Sequence, residues 1–168
     1  MNDNYAVING KRIKLTKEQV EALGVNVEKK RRNPFERVNN DNEYYYIKNS
    51  GEVSNYYEVR DSVDNELYDN INYFNDEQFA KQVALRQLLY RKLLKFAYNN
   101  DCEDTAEWRR YGQHWFIYYD WDTKGANLGL ANVEQHFSTV YFSTAQAAYQ
   151  AIKEVVEPFM KKHPEFVW

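Results

Sequence analysis

The sequence is short of the residues that break or staple a chain: it has six glycines, three prolines and one cysteine in 168 positions. So few glycines and prolines exclude long flexible linkers and low-complexity segments. The lone Cys102 excludes an intrachain disulfide and a cysteine-rich zinc site, as expected of a reducing compartment. No apolar run nears the roughly 20 residues of a membrane span, and the first 30 residues lack the apolar stretch and small-residue cleavage site of a secretory signal. These lacks predict a soluble, cytoplasmic protein with no membrane partner. A basic balance is missing too. The formal net charge is −3, far from the strongly positive character of most nucleic-acid binders.

What is present is enough for one domain with a real core, since 43% of residues are hydrophobic. Tyrosine (15) and asparagine (18) are over-used. Both have AT-rich codons, so genome base composition accounts for them. Tyrosine also combines large apolar area with a polar tip, as recognition surfaces prefer.

Charge is banded along the chain. Residues 58–79 carry −6, 80–100 carry +5 and 101–107 carry −4. The acidic bands contain Glu58, Asp61, Asp64, Glu66 and Asp69, then Asp101, Glu103, Asp104 and Glu107; Lys29 to Arg32 form a basic run. Solvated loops beside a helix explain such banding, and so does electrostatic steering of a charged partner.

A strand-to-helix junction recurs three times: Leu15-Thr16-Lys17-Glu18-Gln19-Val20, Phe74-Asn75-Asp76-Glu77-Gln78-Phe79 and Phe142-Ser143-Thr144-Ala145-Gln146-Ala147. Each reads apolar, capping residue, two fillers, Gln, apolar, the pattern of a capping box, so helices are predicted to start at Lys17, Asp76 and Thr144. A hairpin pattern precedes each junction. The turns fall at Asn9-Gly10, Asn49-Ser50-Gly51 and Asp122-Thr123-Lys124-Gly125. The second and third hairpins align Tyr44-Tyr45-Tyr46-Ile47 with His114-Trp115-Phe116-Ile117, which predicts a duplicated ββα unit.

The long helix predicted over residues 76–98 gathers Phe79, Val83, Leu89, Tyr90, Leu93, Leu94 and Ala97 on one side and Lys81, Arg91, Lys92 and Lys95 on the other. Arg86 falls within the apolar side and needs a carboxylate, carbonyls or a route to the rim. In the last helix, Pro158 should kink or end the element. Residues 25–43 lack periodicity and read as a connector anchored by Phe35.

Catalytic patterns are sparse. Gly125-Ala126-Asn127-Leu128-Gly129 lacks the lysine and spacing of a phosphate loop. Asp120 to Gly125 has the look of a calcium loop, but Lys124 holds the fifth position and Ala131 the twelfth. His114, His136 and His163 show no metal-ligand pairing, and nothing marks Cys102 as a nucleophile. No enzyme, metal or cofactor is expected. The aromatic strands could stack bases through Tyr45 and Trp115, although sheet packing explains them more simply.

The order Ile8-Asn9-Gly10-Lys11, Leu15-Thr16, Asn33-Pro34-Phe35-Glu36-Arg37-Val38, Tyr44-Tyr45-Tyr46-Ile47, Gly51-Glu52-Val53 and Tyr73-Phe74 resembles a group of small accessory proteins carried by phages and prophages of low-GC Gram-positive bacteria. The resemblance spans nearly the whole chain and brings no catalytic residues. It implies a binding role, inhibition of a host defence system, with anti-CRISPR proteins among that kind.

The expectations are therefore these. The fold is α+β: two similar antiparallel ββα units (44–100 and 111–168) packed as one main domain, after an N-terminal hairpin and short helix (1–24) and the connector 25–43. The function is non-enzymatic inhibition of a host defence protein, a CRISPR effector nuclease foremost. Asp61, Asp64, Glu66, Asp69, Asp101, Glu103 and Asp104 would meet its basic channel. The alternatives are a sponge for a nucleotide immune signal and a single-stranded nucleic-acid binder, using Arg86, Lys92, Lys95, Tyr45 and Trp115. Exposed sheet edges predict a two-fold homodimer, unless packing of the two units buries the same surface.

Overall fold

The computed structural model describes residues 5–8, 10–16, 18–19, 33–100, 108 and 112–168. The fold is α+β with antiparallel sheets. The chain forms two compact units, Met1–Asn33 and Pro34–Trp168.

In the first unit β1 (Tyr5–Ile8) pairs with β2 (Lys11–Lys14) across a turn in which Gly10 takes a φ of 75°, the left-handed region glycine enters without steric cost. The capping box expected at Thr16 is formed. The Gln19 amide N–H donates to Thr16 Oγ1 at 3.3 Å, and the Thr16 N–H donates to Gln19 Oε1 at 2.9 Å. The basic run Lys29 to Arg32 lies outside the described residues.

The second unit opens with β3 (Glu43–Ile47) and β4 (Val53–Tyr57), a hairpin closed by Gly51 at φ 88°. Two helices follow, α1 (Ser62–Asp69) and α2 (Glu77–Asn99). Then β5 (His114–Asp120), β6 (Gly125–Ala131) and β7 (Tyr141–Phe142) form a sheet of order β6-β5-β7. The last helix begins as α3 (Ala145–Ala151), widens to a π turn over Ile152–Val156 and ends as α4 (Glu157–Lys162). Among the described residues no helix is long and apolar enough to cross a membrane.

The two hairpins carry a third segment in the same place. Tyr45 of β3 bridges Phe74, with backbone bonds of 2.7 and 2.8 Å, and Trp115 of β5 pairs with Phe142 of β7. Each segment leads into a helix capped two residues later. Asp76 accepts from the Phe79 N–H at 2.8 Å, and Thr144 accepts from the Ala147 N–H at 3.1 Å. Both caps sit one residue beyond the predicted Asn75 and Ser143, so Gln78 and Gln146 fall at the second helical position rather than the third. The halves also differ: α1 is inserted between β4 and Phe74, where the other half has only residues 132–140 between β6 and β7.

Helix α2 packs on β3 and β4 and also on α3 and the π turn. Being enclosed from two directions, it buries small residues where backbones approach, namely Ala80, Ala84 and Ala97 beside Leu89 and Leu93. Tyr90, expected on the buried side, is 39% exposed. The larger core joins this stripe to Phe142, Ala148, Val156 and Phe159, with Trp115, Ile117 and Leu128 packed against it from the sheet. The stretch from Pro34 onward is part of this unit: Phe35 packs on Phe74 and Phe79 with ring centroids 5.5 and 5.3 Å apart, and Val38 is buried.

Pro158 does not end the last helix. Proline brings no N–H and crowds the preceding turn. The chain accommodates it by winding that turn wider, so that the Glu157 N–H donates to the Ile152 carbonyl five residues back. Helical geometry then continues to Lys162.

In the β5–β6 sheet, the tip of the Phe116 ring lies over Gly129, its cross-strand partner. A Cβ placed at Gly129 would come within 2.4 Å of that ring. Gly129→Val is expected to lose about 1–3 kcal/mol through overpacking. In urea unfolding the loss should shrink when Phe116→Ala is made in the same chain; equal losses in both backgrounds would show that the ring is not the obstacle.

Candidate functional site

Two carboxylates of the acidic band turn inward. Glu58 and Asp64 are both fully buried. Glu58 accepts two bonds from Arg37, Nε to Oε2 and Nη2 to Oε1, each 2.9 Å. It accepts two more, from the Tyr73 hydroxyl at 2.7 Å and from the Arg60 N–H at 3.0 Å. Asp64 accepts from the Tyr44 hydroxyl at 2.7 Å, from the Val59 N–H at 2.8 Å and from the Asp61 N–H at 3.3 Å. The Asp64 N–H returns a bond to Asp61 Oδ1 at 2.9 Å, which completes the capping box that starts α1.

The surrounding chain is drawn tight over these groups. Arg60 is held at a φ of 63°, unfavourable for a side-chain-bearing residue. Its guanidinium donates to the Val38 carbonyl at 3.2 Å and to Asn40 Oδ1 at 3.1 Å. The Tyr44 and Tyr73 rings stack with centroids 4.1 Å apart, and Arg37 lies over the Tyr68 ring at 5.1 Å. Strand β4, helix α1 and residues 37–42 are thereby fixed to one another.

This placement corrects the reading of Asp64 as a partner contact: it is a structural acceptor without solvent access, and Glu58 of the same band is likewise internal. Asp61, Glu66 and Asp69 are exposed. Beside them, Tyr57, Val59 and Val63 are each more than half exposed. Exposed acidic and apolar side chains thus alternate along residues 57–69, a stretch tied down by the bonds to Glu58 and Asp64. Asp101, Glu103 and Asp104, like Cys102 and Glu107, lie outside the described residues.

The basic and aromatic candidates are not brought together. Lys92 and Lys95 line a groove of about 370 Å³ between α2 and the last helix, with Phe96 and Phe159 in its apolar lining and Lys162 and His163 also along it. Arg86 lines a different cavity of about 280 Å³. The Tyr45 hydroxyl donates to Glu43 Oε2 at 2.6 Å, which pushes its pKa up to about 12. Trp115 is half-buried, packed against the larger core. A single small ligand therefore cannot engage all five residues. Among the described residues no group of three or more His, Cys, Asp or Glu side chains is placed to hold a metal ion.

Sequence reasoning missed α1 and the buried pair altogether. The signal that marks them is Asp61-Ser62-Val63-Asp64, an acidic capping box in which the second carboxylate accepts the backbone N–H of the first aspartate.

Comparison of the chain with protein-family models, curated proteins and solved structures returns no match.

The Arg37 guanidinium, followed by the Tyr73 hydroxyl and the Arg60 N–H, holds Glu58 at about 2 against the opposing effect of burial, below its ordinary 4.5. A carboxylate depressed on folding contributes stability above its unfolded pKa, and that stability is lost as pH falls from about 4.5 toward about 2. Burial first, then the bonds to Asp64 and Glu58, raise the Tyr44 and Tyr73 hydroxyls far above their ordinary 10. Their contribution is present below pH 10 and lost above it. Glu58→Gln is expected to cost about 1.5–3 kcal/mol at neutral pH, because it removes charge-assisted bonds and turns an NH2 group toward the donors of Arg37, Tyr73 and Arg60. Urea unfolding across pH should also show a flattened acid limb in that variant; a variant as stable as the parent at pH 7 would refute the assignment.

Proposed function

We propose that this protein is a non-enzymatic inhibitor that blocks a host defence complex by direct contact, a CRISPR nuclease foremost, in the cytoplasm of an infected bacterium. The observation that carries this reading is the exposed acidic face of Asp61, Glu66 and Asp69 beside Tyr57, Val59 and Val63, on an element fixed from beneath by Glu58 and Asp64. Negative charge steers a basic channel toward the surface, and half-exposed aromatic and branched side chains supply the short-range contact once it arrives. Rigidity matters because nothing need be ordered on binding. The resemblance to phage accessory proteins supports a defence target. Glu58 accepts four bonds and Asp64 three, and both are fully buried, which supports a structural part for the pair.

A second reading, capture of a nucleotide signal, is favoured by the groove along which Lys92, Lys95 and Lys162 lie over an apolar lining. Phosphates would meet the amines and a base the Phe96 side. Arg86, in another cavity, takes no part.

Expression of the protein should restore plaques on interference-competent cells. The reversal Asp61→Lys, Glu66→Lys, Asp69→Lys should slow association with the target about tenfold or more at low salt, with a weaker effect at high salt. Plaque counts that stay low with the parent protein would defeat the CRISPR reading, and a triple reversal that inhibits as well as the parent would remove the acidic face from it. Calorimetry with cyclic dinucleotides, using Lys92→Glu and Lys95→Glu as controls, decides the second reading.

A further inference from the structure

Arg86 occupies the core-facing stripe of α2, the stripe that continues through Leu89 and Leu93, yet it is exposed and is not packed over. One turn before it, Gln82 fastens the C-terminal segment to α2 with two good bonds. Its Nε2 donates to the Glu165 carbonyl at 2.7 Å, and its Oε1 accepts the Val167 N–H at 2.9 Å. Arg86 adds only a 3.5 Å contact from Nη2 to the Val167 carbonyl, at the outer limit of a hydrogen bond. Among the described residues it makes no ion pair. A guanidinium carries five N–H donors in a planar fork, so most of its donors are unspent.

Arg86 also lines a cavity of about 280 Å³, just below the usual range for small-molecule sites. Ser138 and Thr139 line it together with the aromatic residues Tyr90 and Trp168 and the aliphatic Leu93. Trp168 is itself set in place, stacked on Tyr119 at 5.9 Å and edge-on to Phe166 at 6.2 Å. Ser138 is held at a φ of 58°, a conformation that costs energy outside glycine.

We propose that this cavity binds a small organic carboxylate with a flat apolar body, an aryl- or indolylacetate in class. A planar fork matches a carboxylate through two parallel bonds, the hydroxyls can take its remaining lone pairs, and the flat body lies between aromatic and aliphatic walls. The site is separate from the acidic face and from the lysine groove, so it does not depend on either reading of the function.

The test is titration of the full chain with indole-3-acetate, followed by amide chemical shifts, against indole-3-acetamide, which keeps the body and loses the charge. Saturable shifts centred on Thr139 and Val167 are expected, with the carboxylate bound at least about tenfold tighter than the amide. Arg86→Leu should abolish that preference, Trp168→Ala should weaken both ligands, and Lys92→Leu, in the other groove, should change neither. The proposal is overturned if shifts fail to saturate at millimolar ligand, if the amide binds equally, if folded Arg86→Leu retains the preference, or if Lys92→Leu weakens binding as much as Arg86→Leu does.

Discussion

The carboxylate of Glu58 is the point on which the first half of the main unit depends. It belongs to the end of a hairpin, and its partners come from three other places in the chain: Arg37 from the entering segment, Arg60 from the strained turn, and Tyr73 from the approach to α2. A buried charge is costly to desolvate and is tolerated only when every lone pair is met. Four donors meet this one. Such a group need not add net stability over an apolar replacement, but it permits one arrangement of the segments that carry its partners, since any other leaves a charge unpaired out of water. Asp64 repeats the arrangement on a smaller scale and ties α1 to Tyr44 of β3.

Why this escapes a reading of the sequence is a matter of range. Turn chemistry and capping are local, so the hairpins around Gly10, Gly51 and Gly125 appear within a residue or two of their predicted places, as does the start of α2. The capping box at Thr16 was likewise readable from four consecutive residues. Burial of an acid is not local: Glu58 becomes an interior residue only through Arg37, twenty-one positions away, and Asp64 through Tyr44, twenty positions away. From sequence alone both are members of an acidic run. The same limit applies to Pro158, whose effect depends on whether the preceding turn can widen, and to Tyr90, whose exposure depends on which neighbours enclose α2.

Of the candidate site, the acidic and the basic groups are placed differently. Asp61, Glu66 and Asp69 face outward, whereas the set built from Arg86, Lys92, Lys95, Tyr45 and Trp115 is dispersed over two cavities, the middle strand β3 and the core. Arg86 and Lys95 are nine residues apart on one helix, about half a turn around its axis. Their shared charge hides the fact that they look in opposite directions.

The bond pair from Gln82 to Glu165 and Val167 joins positions more than eighty residues apart and makes the end of the chain one wall of a cavity. Occupancy of that cavity and docking of the segment are then reciprocal quantities. Whatever free energy a guest gains from the wall, the wall gains from the guest, and loosening either must loosen the other by the same factor.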